Sequence, residues 1–223
     1  GQANLKLIGS HAGVSIGHDG PSQMGLEDLA MLRAVHDSVV LYPCDANQAA
    51  ALTAELAGHY GIGYLRATRG DTPVIYPPGE QFPIGGSKVL RSSDADQVTI
   101  IAAGITVHQA LGAADALAAG GIAARVIDLY SVKPVDAQGL RAAAEATGAF
   151  VTVEDHWAEG GLGDAVLAAF ANGHQAPRIT KLAVHAMPGS ASPDGQSHAA
   201  GIDAKAIEAA ARGVKVGVVC KSL

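Results

Sequence analysis

Residues 98–129 read VTIIAAGITVHQALGAADALAAGGIAARVIDL, and this stretch decides the fold class. Val98–Ala102 is a continuous apolar run, the pattern of a strand covered on both faces. Gly104 turns the chain. Val107–Ala119 is rich in the strong helix formers Ala and Leu, and Gly120-Gly121 stops it. Ala124–Leu129 is a second apolar run. Strand, helix and strand in this order predict parallel pairing through a crossover.

The alternation continues downstream. Lys133-Pro134 predicts a turn, and Asp136 suits the cap of a helix reaching about Ala146. Ala149–Val153 reads as a strand. Gly160-Gly161-Leu162-Gly163 leads into a helix over Asp164–Ala171, Ile179–Val184 is a fourth strand, and Asp203–Arg212 is helical. This is the order of a small doubly wound α/β domain.

Upstream, Leu5–Ile8, Val39–Tyr42 and Ile62–Arg66 read as strands. Leu26, Leu29, Leu32 and Val35 recur at three-residue steps behind the start signal Pro21-Ser22, and Asp45 caps a helix from Ala46 to about Tyr60. The first block is therefore a second α/β unit with a parallel sheet. Between the blocks, Pro77-Pro78-Gly79, Pro83 and Gly85-Gly86 mark a linker, with a short strand at Lys88–Leu90. The expected division is residues 1–78, a linker over 79–95, a domain over 96–212 and a tail over 213–223.

Composition narrows the classes. Of 223 residues, 48% are hydrophobic and 16% charged, which excludes a disordered chain or a coiled coil. With 15 basic against 21 acidic residues the net charge is -6, and no basic run exists, so nucleic acid is not an expected partner. The longest apolar stretch, Val98–Val107, is interrupted by Gly104 and too short for a bilayer. No basic-then-apolar leader opens the chain, and two cysteines, Cys44 and Cys220, make no disulfide framework, so a cytoplasmic location is expected. The first residue is Gly, not Met, as in a processed chain or a piece of a longer one.

Three segments carry candidate chemistry. His11, His18, Asp19 and Gln23 fall among glycines between Gly9 and Met24, and Pro21-Ser22-Gln23 at a helix start would offer backbone N–H groups to an anion. Arg66 and Arg69 directly follow a strand, where guanidinium forks suit a phosphate or carboxylate. Glu154-Asp155-His156 and Gly160-Gly161-Leu162-Gly163 could serve catalysis or a phosphate cradle; a tight turn that packs elements closely explains them better, because the carboxylates repel anions. No metal-ligand spacing or full G-x-G-x-x-G pattern is present. His108 and Cys44 read as structural.

The run Gly9-Ser10-His11-Ala12-Gly13-Val14-Ser15-Ile16-Gly17, followed by Asp19-Gly20-Pro21-Ser22-Gln23-Met24, closely resembles the second half of the pyrimidine-binding domain of transketolases. Tyr42-Pro43-Cys44-Asp45, Arg66-Ala67-Thr68-Arg69, Asp128-Leu129-Tyr130-Ser131-Val132-Lys133-Pro134 and Val153-Glu154-Asp155-His156 extend the resemblance from about residue 3 to 213. It implies an α/β fold: an incomplete parallel-sheet pyrimidine-binding domain followed by a small doubly wound C-terminal domain. It implies a thiamine diphosphate- and Mg²⁺-dependent transfer of a two-carbon ketol unit between sugar phosphates. His11 and Arg69 are similar to the residues that hold the substrate phosphate, Asp19 to one that accepts from a sugar hydroxyl, and Gln23 to the group beside the cofactor's reactive centre. Ser22-Gln23-Met24 resembles the shorter, animal-type members, whereas many relatives, deoxyxylulose phosphate synthases among them, have His there. His18 replaces a usual Glu, and Gly70-Asp71 a usual Pro-Glu.

The resemblance also implies that the cofactor's diphosphate and Mg²⁺ are held mainly by an N-terminal part, a separate domain or subunit, without which this chain is inactive. A homodimer or heterotetramer follows as the expected assembly. Two other readings stand beside it: a fragment of another thiamine diphosphate enzyme such as deoxyxylulose phosphate synthase, or a non-catalytic binding module.

Overall fold

The first sheet is built from strands that run the same way. Its members are β1 (Leu5–Gly9), β2 (Val39–Leu41) and β3 (Ile62–Arg66), with β3 pairing in parallel to both of the others. The structure is a computed structural model that describes residues 3–216. Helix α1 (Asp28–Ala34) places Leu29 against Val40, Tyr42 and Tyr64 on one face of this sheet. Helix α2 (Ala46–Gly58) places Leu52 and Leu56 against Val39, Leu41 and Leu65 on the other. Asp45 caps α2, accepting the Gln48 N–H at 2.7 Å. Helix α1 starts at Asp28 rather than near Pro21, because Pro21–Gln23 forms a separate 3₁₀ turn.

The second sheet runs β4 (Lys88–Arg91), β6 (Ala124–Asp128), β5 (Val98–Ala102), β8 (Ala149–Trp157) and β9 (Arg178–Val184), in that spatial order. All neighbours are parallel except β4, an antiparallel edge strand that lies inside the expected linker. Helix α3 (Thr106–Ala119) and helix α7 (Ala204–Val216) cover one face through residues such as Val107, Leu117 and Ile207. Helix α4 (Ala137–Thr147) and helix α5 (Leu162–Ala168) cover the other through Leu140, Leu162 and Val166. Each such aliphatic side chain, fully buried, contributes about 1.5–3 kcal/mol. Helix α7 continues through the first residues of the expected tail to Val216, and the rest of that tail lies outside the described residues.

Two elements have no counterpart in the sequence reading. Ser131–Lys133 forms β7, which leaves the second block to pair antiparallel with β2, so the first sheet has the order β1-β3-β2-β7. Pro193–Ala199 forms α6, capped by Ser192, and it packs against the first block, where Ser190 donates to the His18 carbonyl at 2.5 Å.

The two blocks are knitted at the carboxyl ends of β5 and β8. There the connection from β5 leaves towards one face and the connection from β8 towards the other, the arrangement that usually opens a ligand crevice. In this chain the first block fills it. Tyr42 stacks over Gly104, whose φ of +59° and lack of a Cβ allow the approach. Asp128, fully buried at the end of β6, accepts from Gln48 Nε2 at 2.7 Å and from the Tyr76 hydroxyl at 2.8 Å. His108 Nε2 meets the Cys44 carbonyl at 2.8 Å, a structural role as read from sequence. Cys44 is a buried free thiol whose pKa is pushed up by burial and by Asp128.

Candidate active site

The loops that follow β1 and β3 carry the candidate residues, and the local sequence explains their conformation. His11 adopts φ +64°, a left-handed conformation that a non-glycine residue takes at a cost. It is pinned on both sides: Ala12 N–H donates to the Ala67 carbonyl at 3.1 Å, and Gly25 N–H donates to the His11 carbonyl at 3.1 Å. Gly13 (φ +73°) then turns the chain into a 3₁₀ segment over Val14–Asp19. His11 Nδ1 pairs with the Ser10 hydroxyl at 2.8 Å, leaving Nε2 without a partner among the described residues.

His11 and Gln23 line one open cleft of about 440 Å³, together with Ser10, Ser22, Met24 and Gly25. The Gln23 side-chain amide is exposed and makes no hydrogen bond among the described residues. Asp19 and Arg69 meet as an ion pair, Oδ2 to guanidinium nitrogen at 3.1 Å, with side chains 35% and 49% exposed. No hydrogen bond or ion pair joins His11 to Arg69. The four residues thus form two pairs on loops at the carboxyl ends of the parallel strands of the first sheet. Of the Pro21-Ser22-Gln23 segment, the Gln23 N–H is taken by the Gly20 carbonyl, and the following Met24 N–H by the Pro21 carbonyl.

Arg66 differs from Arg69. It is fully buried and donates to both oxygens of Asp28, at 2.8 and 3.0 Å, and to the Gly25 carbonyl at 2.9 Å. Its guanidinium lies 4.7 Å from the centre of the Tyr42 ring. Burial opposes the Asp28 charge, but the adjacent Arg66 outweighs it and holds the carboxyl below its ordinary value. Arg66 is thus committed to the protein, and only Arg69 of the expected arginine pair faces solvent.

Glu154, Asp155 and His156 are all buried, and all serve packing. Glu154 accepts from the N–H groups of Leu162 and Gly163 at 2.5 and 3.0 Å, so the glycine-rich turn grips the chain's own carboxylate rather than a phosphate. Burial raises this carboxyl to about 7, against the pull of those N–H groups. Burial keeps His156 below its ordinary value; its Nε2 accepts from Ala30 N–H at 3.3 Å while Nδ1 donates to the Trp157 carbonyl at 2.7 Å. Asp155 reaches across to the first block, accepting from Val14 N–H at 2.6 Å and Ser15 N–H at 3.1 Å. Sequence reasoning placed these residues at a close-packed turn; that Asp155 grips the His11–Asp19 loop it did not reach.

With this geometry described, the comparisons with known proteins are specific. Residues 1–74 match the model for the transketolase pyrimidine-binding domain, and residues 87–207 match that for the transketolase C-terminal domain. The chain belongs to the transketolase family. It is 48% identical over 209 residues to transketolase-like protein 1 of Bos taurus and 44% identical over 214 residues to transketolase of Homo sapiens. These alignments cover 92% and 96% of this chain but 35% and 34% of the relatives, so the chain spans about a third of their length. Among solved structures, a split-gene transketolase described as an inactive β4 tetramer superimposes with a TM-score of 0.88 at 35% identity, covering 96% of this chain and 68% of that one. A transketolase of Pichia stipitis, at 19% identity and TM-score 0.76, shares the fold. Among the described residues no helix is long and apolar enough to cross a membrane.

Proposed function

We propose that this chain supplies the C-terminal part of a transketolase, a cytoplasmic transferase that moves a two-carbon ketol unit between sugar phosphates. The observation that carries the reading is the division of labour among these polar residues. Arg66, Asp28, Glu154 and Asp155 are bound within the protein, while His11, Asp19, Gln23 and Arg69 remain on the open surface beside them. In this reading Arg69, with its planar fork, and His11, through Nε2, bind the phosphate of a sugar phosphate. Asp19 accepts from a substrate hydroxyl, exchanging part of its contact with Arg69 for it. Gln23 orients the donor's hydroxyls as a neutral amide; it holds no proton to give near pH 7, so proton transfer falls to other groups.

Thiamine diphosphate, when bound, supplies the electron sink for carbanion chemistry. The cleft beside Gln23 fits the reactive end of such a cofactor, being open and lined by Ser10, His11, Ser22 and Met24. In this reading Mg²⁺ and the diphosphate are held mainly by an N-terminal domain or subunit. The working assembly is then a homodimer or a heterotetramer, and the chain alone does not turn over.

Arg69→Ala tests the phosphate role in the assembled enzyme. The expected loss is about 1.5–3 kcal/mol in kcat/KM for phosphorylated substrates, the value of a hydrogen bond to a charged group, with cofactor affinity unchanged. Equal losses for phosphorylated and unphosphorylated donors would contradict it.

A further inference from the structure

We propose that Asp155, in the second block, is a positioning residue for the substrate loop of the first. The inference rests on reading His11 and Asp19 as substrate contacts, and it deepens that reading. Asp155 is fully buried at the carboxyl end of β8, in the crevice where a doubly wound sheet usually receives a ligand. Here the crevice receives a loop. Both Asp155 oxygens accept N–H groups, from Val14 at 2.6 Å and Ser15 at 3.1 Å, and these are the first two residues of a 3₁₀ segment that, past a kink at Gly17 (φ +80°), ends in Asp19.

The approach is close enough to dictate the residue opposite. A Cβ on Gly13 would fall on the Asp155 carboxylate, so the loop can sit in the crevice only with glycine there. Gly13 N–H in turn donates to the Gly25 carbonyl at 2.8 Å, Gly25 N–H to the His11 carbonyl at 3.1 Å, and Arg66 to the Gly25 carbonyl at 2.9 Å. One continuous set of hydrogen bonds therefore runs from Asp155 through the loop backbone to His11 and to the start of the segment bearing Asp19. Loops are the mobile part of most folds. This one is clamped by a charge-assisted contact from a different sheet, and such contacts are about twice as strong as neutral ones. Substrate binding in the first block thereby depends on the docking of the second.

Asp155→Asn keeps the shape and removes the charge and one acceptor. In amide NMR spectra of the full chain, the Val14 and Ser15 N–H resonances are expected to move upfield and the His11 ring signals to shift, while signals of β5 and β6 stay in place. In the assembled enzyme, KM for the phosphorylated acceptor should rise about tenfold, the effect of one lost charge-assisted hydrogen bond, with kcat changed less than about twofold. Asp128→Asn, at the same block boundary but off the loop, serves as the control and should leave KM unchanged. Should Asp155→Asn fail to fold, Ser15→Pro, in the first turn of the 3₁₀ segment, removes one donated N–H, and the Val14 N–H and His11 signals are then the ones expected to shift. Unmoved loop signals, or moved signals with an unchanged KM, overturn the proposal. A wild-type assembly without ketol transfer overturns the functional reading instead, and the loop signals then still decide whether Asp155 holds the loop.

Discussion

Arg66 and Arg69 stand three residues apart and have opposite fates. Arg66 sits at the end of β3 with its side chain turned into the molecule, paired with Asp28; Arg69 lies beyond the strand on the surface. Arg66→Ala would leave Asp28 largely buried without its cation, so chemical denaturation should show a loss of about 3–5 kcal/mol. Arg69→Ala should leave stability within about 0.5 kcal/mol, since its partner is exposed. Asp128 gives a pH test. Burial raises its carboxyl from 3.8 to about 6, against hydrogen bonds from Gln48, Tyr76 and Cys44. A carboxyl that is weaker in the folded state favours folding when protonated. Its contribution is therefore largest below about pH 4, falls as pH rises through 4 to 6, and is flat above. Asp128→Asn should remove this fall, seen as a smaller pH slope of the unfolding midpoint; an unchanged slope would assign the fall to other groups. The sequence alone put both arginines at a strand end. Position along the strand does not tell them apart, because which one points inward depends on Asp28 being brought across from α1; only the family resemblance singled out Arg69.

At the scale of elements, the parallel core was readable and the polar extensions were not. Val98–Ala102, Ala124–Asp128 and the capped helix from Ala46 stand within a residue or two of where their patterns put them. The strand expected at Ala149–Val153 instead runs on to Trp157. Glu154, Asp155 and His156 look like the end of a buried strand, yet each finds backbone partners that satisfy it in the interior. Strand β7 has three residues and no periodicity to detect, and its pairing with β2 is a tertiary event. Helix α6 carried a start signal in Ser192-Pro193 but no apolar stripe to extend it. The close fit of the blocks makes a prediction for the β5–α3 turn. Gly104→Ala introduces a Cβ into the Tyr42 ring at a positive φ, so a loss of at least about 2 kcal/mol is expected by thermal or denaturant unfolding. A loss below about 0.5 kcal/mol would mean that Tyr42 does not occupy the crevice.

The whole molecule consists of two sheets that share core residues and polar bonds, with the candidate site on the first and its anchor on the second. Of the candidate site, His11, Asp19, Gln23 and Arg69 were named through the family resemblance, and the composition of the loops pointed to the same stretch. The anchoring role of Asp155 was not, since contacts between residues more than a hundred positions apart leave no local pattern. The central claim is that this chain provides the substrate side of a ketol-transfer site and needs the cofactor-holding part to act. The most direct test combines the chain with an N-terminal transketolase polypeptide, thiamine diphosphate and Mg²⁺, and follows transfer from xylulose 5-phosphate to ribose 5-phosphate. Ketol transfer by the mixture, with none from either polypeptide alone, is the predicted result; a mixture of folded, associated polypeptides that yields no transfer would contradict the account.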